Sequence, residues 1–164
     1  MRIGLGGGCH WCTEAVFQSL RGVERVEQGF IRSTPPHDSW SEAVIVHFDT
    51  DVIPLETLIE VHLRTHSSTQ QHALREKYRS AVYAFDGDQR RAAAEAITAV
   101  QAGFEDPLIT RVLPFVAFRA SEPRYRDYYR RQPEAAFCQR YIDPKLEWIR
   151  ERFGDAGIRV LSKI

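Results

Sequence analysis

The residues with the most chemistry to offer are two cysteines in the quartet Cys9-His10-Trp11-Cys12, placed directly after Gly6-Gly7-Gly8. The short apolar run Ile3 to Leu5 leads into the glycines. Behind them Ala15, Val16 and Leu20 fall at helical spacing. The spacing predicts a strand, a glycine turn and a helix beginning near Cys9 or His10. Cys9 then sits at a helix N-terminus, where free N–H groups and the helix dipole favour an anion. A thiolate is the reactive form of cysteine, and such a setting lowers its pKa. The glycines allow a tight turn and close approach of a substrate. Cys9 is therefore read as a nucleophile.

Cys9 and Cys12 are three apart, so a helix puts them on one face. The second thiol can attack an oxidised first thiol and close a disulfide. One reading is a general dithiol–disulfide oxidoreductase, although only eight residues precede the motif. A zinc-binding or redox-sensing module is another, with Cys9 and Cys12 joined by His62 and His66. The gap of about fifty residues between those pairs exceeds the ~12–20 of compact zinc motifs. His62 is more simply a half-exposed helix residue, and His66 a helix-end residue favoured by the dipole. The third cysteine, Cys138, stands before Tyr141-Ile142-Asp143-Pro144. An odd cysteine count argues against a static disulfide framework.

The chain has 164 residues, with 22 basic and 22 acidic side chains. That length suits one domain with a real core. The charge balance gives no bulk attraction to nucleic acid or to a membrane surface. No apolar run approaches the ~20 residues of a membrane span, and the opening residues lack a signal-peptide pattern. A soluble cytoplasmic protein is expected. One catalytic domain, 1–164, is expected, with a less regular C-terminal segment 133–164.

The elements that must position the thiols follow from periodicity. Strands are predicted over Val23 to Phe30, Glu42 to Phe48, Tyr78 to Phe85 and Thr110 to Phe118. In the second of these, Ala43, Ile45 and His47 face one side, and Val44, Val46 and Phe48 the other. Helices are predicted over Pro54 to Thr65, Gln89 to Phe104, Glu122 to Arg131 and Pro144 to Phe153. Gly22 reads as a C-cap, Asp86 to Asp88 as a turn that can cap, and Pro114 as the mark of an edge strand or bulge. Arg32 to Asp38 and Ser67 to Lys77 read as loops. The order β-α-β-β-α-β-α-β-α-α gives an α+β fold: a two-layer sandwich of helices on a mixed or antiparallel sheet, with a ferredoxin-like core.

Several segments in order resemble the A-type peptide methionine sulfoxide reductases. Gly-Gly-Gly-Cys9-His10-Trp11 and its helix are similar to the start of that family. Ser41-Glu42-Ala43-Val44 resembles its Gly-His-Ala-Glu-Ala-Val strand. Lys77-Tyr78-Arg79-Ser80-Ala81 resembles its Gln-Tyr-Arg-Ser strand, and Tyr125-Arg126-Asp127-Tyr128-Tyr129 its Tyr-His-Gln-Asp-Tyr helix. The likeness covers most of residues 3–145. It implies an α+β sandwich and thiol-dependent reduction of methionine sulfoxide, free or in peptides and proteins, to methionine. It also implies selectivity for the S epimer at sulfur, repair of oxidative damage, no metal, no bound organic cofactor, and thioredoxin as external reductant.

Carried over by position, Cys9 attacks the sulfoxide sulfur and becomes a sulfenic acid. Glu42 is the acid for the leaving oxygen, with a pKa raised by an apolar pocket. Tyr78 donates to that oxygen. Trp11 packs on the S-methyl group. Cys12 is the favoured resolving thiol, since three-residue spacing needs little rearrangement; Cys138 is the alternative, on a mobile C-terminal segment. Three departures stand out. His10 replaces the family's phenylalanine, Ala73 falls where the family has an aspartate (with His72 adjacent), and the loop between Phe30 and Ser41 is short and lacks a Gly-Tyr-x-Gly-Gly run. His10 is expected to line the methyl pocket beside Trp11 as a neutral ring; as a cation it would instead favour the Cys9 thiolate.

Overall fold

The computed structural model describes residues 1–71, 73–159, 161 and 163. His72 lies outside them. Six strands form one mixed sheet: β1 (Arg2–Gly6), β2 (Val23–Arg32), β3 (Ser41–Phe48), β4 (Ala81–Ala84), β5 (Arg111–Pro114) and β6 (Ala117–Ala120). Their order across the sheet is β5-β4-β1-β3-β2-β6. The central four are antiparallel and in the 4-1-3-2 order of a ferredoxin-like core, and β5 adds parallel to β4. The helices are α1 (His10–Gln18), α2 (Leu55–Thr65), α3 (Gly87–Gln101), α4 (Tyr128–Arg131) and α5 (Asp143–Phe153).

The alternation read in β3 sorts its side chains between two apolar clusters. Val44, Val46 and Phe48 join Ile3, Leu5 and the inner faces of α1, α2 and α5 in the main core. Ala43 and Ile45 face the other way, against Ile31, Ala81, Tyr83 and Leu113. That second cluster is closed over by the sheet itself. The expected single strand Thr110 to Phe118 is two strands, β5 and β6, at opposite edges. A flat six-stranded sheet would hold its edges about 24 Å apart, yet two residues, Phe115 and Val116, span from Pro114 to Ala117, a reach of about 11 Å at most. The sheet therefore curls. Phe115 N–H donates to Ala84 O at 2.9 Å and Val116 N–H to Arg32 O at 3.2 Å, which carries the link from one edge to the other. Gly4 lies inside the curl, where a Cβ would come within 2.8 Å of Tyr83 Cβ.

Other boundaries differ for local reasons. β4 begins at Ala81 rather than Tyr78; the backbone of residues 77–79 is instead held sideways against Ser41 and Glu42. The helix expected over Glu122 to Arg131 is broken into a single 3-10 turn and α4, because Asp127 takes a left-handed φ of 55°. Asp86 caps α3, its carboxylate accepting from Gln89 N–H at 2.7 Å. Gly22 adopts a φ of 96° on the way into β2. The segment Cys138–Ile142 is a π turn running directly into α5, and Cys138, Ile142, Leu146 and Ile149 belong to the main core.

Candidate active site

β1 runs outward and ends at Gly6, while β3 and β4 start at that same end of the sheet. The register pairs Gly6 with both Ala43 and Ala81. Cys9, Glu42 and Tyr78, far apart in sequence, are thereby brought to one sheet end. The 77–79 segment is pinned there: Glu42 N–H donates to Lys77 O at 2.9 Å, Ser41 Oγ donates to the same oxygen at 3.0 Å, and Arg79 N–H donates to Ser41 Oγ at 2.8 Å. Arg75 is the clasp on the other side. Its guanidinium donates to Gly7 O and Tyr78 O, both at 3.0 Å, and to Ser67 O at 2.5 Å. No pattern along the chain points to this arginine, because its contacts depend on the path of an irregular loop.

Cys9 is the N-cap of α1 and is partly exposed. Its pKa lies below the ordinary thiol value. The main cause is a hydrogen bond from the Cys12 thiol, aided by the backbone N–H groups of Trp11 and Cys12; burial and the Glu42 charge oppose it. The Cys12 thiol is pushed far up in turn, by donating to Cys9 and by burial, with only Lys145 helping it ionise. A cavity of about 310 Å³ opens over the pair, lined by Gly7, Cys9, Cys12, His66, Tyr78 and Phe137 among others. A second cavity, of about 360 Å³, lies beside Gln18, Asp127 and Arg159 and contains no cysteine.

Glu42 is 7 % exposed. Its Oε1 accepts from His10 N–H at 3.2 Å and lies 3.4 Å from His10 Nε2, while Oε2 lies 3.8 Å from Lys77 Nζ. His10 and Trp11, expected side by side, diverge as neighbours on a helix must. His10 is buried and meets Phe30 edge-on, at 5.3 Å between centroids. Trp11 stacks on Tyr128 at 4.2 Å and is met edge-on by Phe137 at 5.5 Å. Cys138, expected on a mobile segment, is fully buried. Burial and Asp143 raise its pKa.

His62 is not half-exposed: it is 2 % exposed, and its ring sits 4.2 Å from that of His66. Burial holds His62 well below the ordinary histidine value and His66 at about 4, so both are neutral. His66 Nε2 bonds Ser80 Oγ at 2.7 Å, and a side chain on Gly7 would strike this ring. Among the described residues no group of three or more His, Cys, Asp or Glu side chains is gathered as a metal would need. Sequence reasoning also missed Glu14. It is buried against Gln28, whose Nε2 donates to it at 3.0 Å and to Tyr125 O at 2.9 Å. Burial lifts its pKa to about 7 although Asp127 and Tyr128 N–H groups bond it.

A cysteine at a helix N-cap with a second thiol three residues on, at the open end of a curled α+β sheet, is an arrangement suited to a thiol-dependent oxidoreductase. Comparison with known proteins makes this specific. Residues 1–156 match the family model described as peptide methionine sulfoxide reductase. Two curated relatives carry the name peptide methionine sulfoxide reductase MsrA. That of Thermus thermophilus is 34 % identical over 163 residues, covering 91 % of this chain and 93 % of the relative. That of Chromobacterium violaceum is 36 % identical over 165 residues, covering 91 % and 94 %. The fold matches Mxr1 from Saccharomyces cerevisiae in reduced form, with a TM-score of 0.74 and 20 % identity over 86 % of this chain and 90 % of that one. It also matches methionine sulfoxide reductase A of Corynebacterium diphtheriae, with a TM-score of 0.70 and 21 % identity over 82 % and 76 %. The chain belongs to the peptide methionine sulfoxide reductase family.

Proposed function

We propose that this chain reduces methionine sulfoxide, free or in peptides and proteins, to methionine, with Cys9 as nucleophile. The observation that carries the reading is the Cys9 sulfur, at the N-cap of α1 and beside the Cys12 thiol in the wall of an open cavity. The thiolate attacks the sulfoxide sulfur. The oxygen passes to Cys9 while Glu42 supplies one proton, leaving a Cys9 sulfenic acid and methionine; the cysteine sulfur is oxidised and the substrate sulfur reduced. Tyr78, at the same cavity, donates to the oxygen as charge develops on it. Phe137 in the cavity wall, backed edge-on by Trp11, supplies the aromatic surface for the S-methyl group.

Cys12 then attacks the sulfenic sulfur, water leaves, and a Cys9–Cys12 disulfide forms. A dithiol reductant must reopen it. A solved structure of Mxr1 from Saccharomyces cerevisiae in complex with Trx2, matched with a TM-score of 0.62 and 18 % identity over 74 % of this chain, supports thioredoxin in that role. We place the enzyme in the cytoplasm; no helix among the described residues is long and apolar enough to cross a membrane. The packing of α5 into the main core supports one catalytic unit over the whole chain.

The test is turnover of separated methionine sulfoxide epimers with dithiothreitol as reductant. The S epimer should be consumed and the R epimer left. Reduction of disulfide substrates with neither sulfoxide consumed would establish the general dithiol oxidoreductase instead.

A further inference from the structure

The cavity over Cys9 is uneven in charge. Its wall carries two cations, Arg75 and Lys145, and no aspartate or glutamate. Among the described residues neither cation has a carboxylate partner. Arg75 has five N–H donors, and four of them go to backbone carbonyls: Gln70 O, Gly7 O, Tyr78 O and Ser67 O. Carbonyl oxygens satisfy donors without cancelling the charge. Lys145, in the first turn of α5, gives one hydrogen to Thr65 O at the end of α2, at 2.5 Å, and keeps two. Both cations act on His66 in the same wall, and Lys145 also acts on Cys12. Cys9 draws its main support from the Cys12 thiol and backbone N–H groups, so neither cation is taken up by it. The stretch leading to Arg75 has also lost an acid, since Ala73 stands where the family has aspartate.

We propose that this cavity prefers substrates with a free α-carboxylate on the oxidised residue itself: methionine sulfoxide as the amino acid, or at the C-terminus of a peptide. The proposal rests on the sulfoxide reductase reading and names the substrate class of that same site. Four bonds separate the sulfur of methionine from its carboxylate carbon, a reach of roughly 5 Å. With the sulfur at Cys9, the carboxylate therefore stays inside a cavity of about 310 Å³. Lys145 is the specificity-determining contact, because its ammonium keeps two hydrogens for an anion. Arg75, held by four carbonyls, contributes mainly its charge. An internal methionine presents an amide oxygen at that position. The amide is neutral and accepts a weaker hydrogen bond than a carboxylate does.

A matched pair of substrates reads this directly: the S epimers of N-acetylmethionine sulfoxide, which has the carboxylate, and of its N-methylamide, which does not. With dithiothreitol as reductant, kcat/KM reports the steps up to oxygen transfer and not the resolving step. The wild type should favour the carboxylate about tenfold, the size of one charge-assisted hydrogen bond, and added salt should narrow the gap. Lys145→Gln should bring the ratio close to one, and Lys145→Arg should keep most of it. Each ratio is taken within one protein, so a general loss acting through Thr65 or Cys12 cancels. A wild-type ratio of one or below, or a ratio unchanged in Lys145→Gln, would overturn the proposal. A second readout needs no turnover: N-acetylmethionine should bind more tightly than its N-methylamide by calorimetry, and the difference should vanish in Lys145→Gln. A protein that shows this binding difference but reduces neither sulfoxide would sink the functional reading and leave the carboxylate site standing. Reduction of both sulfoxides at equal kcat/KM would do the reverse.

Discussion

The Cys12 thiol donates to the Cys9 sulfur across one turn of α1, and this contact is the largest influence on both groups. It sets an order of events. While Cys9 is a thiolate, Cys12 is held protonated. Once Cys9 has taken up oxygen its negative charge is gone, and with it the main force keeping the hydrogen on Cys12. In the proposed mechanism Lys145 then favours ionisation of Cys12 against the burial that still opposes it, and the resolving thiol becomes easier to ionise only after Cys9 has reacted.

Cys12→Ala should therefore make Cys9 less acidic. Alkylation of Cys9 by iodoacetamide, measured against pH, should shift to higher pH, and Cys12→Ser, which can still donate, should recover part of the shift. Overlaid profiles for the wild type and Cys12→Ala would mean that the helix terminus alone activates the thiol.

Cys9→Ser should abolish methionine formation in a single turnover and leave the far-ultraviolet spectrum intact. A hydroxyl without an activating base is a poor nucleophile. Substantial product from this variant would remove Cys9 from the mechanism.

Peptide mapping after one turnover should recover Cys9 joined to Cys12. Cys138 is fully buried on the π turn that continues into α5 and lies within electrostatic range of Cys12. A Cys9–Cys138 peptide would reverse the assignment, and recovery of Cys9–Cys12 before a bond to Cys138 would establish a relay.

Glu42→Gln keeps the shape of the acid and loses its proton, so the oxygen-transfer step should slow by the ~10²–10⁴-fold typical of a lost general acid. Tyr78→Phe should cost less, since it removes one donor. A wild-type single-turnover rate for Glu42→Gln would place the proton source elsewhere.

Glu14 predicts a pH dependence of stability. Its pKa is raised from an ordinary 4.5 to about 7 in the folded chain, chiefly by burial. The folded state therefore holds this proton more tightly than the unfolded one. The resulting stabilisation is complete below pH 4.5 and is lost as pH rises through about 7, a change on the order of 2–3 kcal/mol. Glu14→Gln cannot titrate and should flatten that part of the profile. Urea denaturation of both proteins at intervals from pH 4 to 8 measures it; parallel curves would show that Glu14 titrates alike in both states.

The parts of the fold set by local pattern were legible in the sequence. The strand–glycine–helix entry to Cys9, the two faces of β3 and the apolar stripe of α2 all rest on periodicity. What failed depended on distant partners. Pro114 signalled an edge, and β5 is one, but nothing local revealed that the chain crosses to the opposite edge two residues later. His62 looked like a surface residue because its helix face is mixed in composition; it is buried because His66 and Phe17 close over it. At the site, Cys9 stood out by residue type and spacing, while Glu42 and Tyr78 were singled out by family likeness alone; the structure brings all three to one sheet end. The contacts that give His10, Glu14 and Arg75 their settings come from β2, β3 and the loop before β4, and none is encoded by spacing along the chain.

The Phe115–Val116 link constrains how a polypeptide can meet this enzyme. The outer edge strands are four residues each, and the chain passes directly from one to the other. Pro114, at the turn, has no N–H to offer. A partner chain therefore finds little ladder to extend, and strand addition, a common way for sheets to capture peptides, is closed off. In the proposed reaction an oxidised methionine would then enter as a single side chain, through the cavity over Cys9, and its recognition would draw little on the backbone to either side.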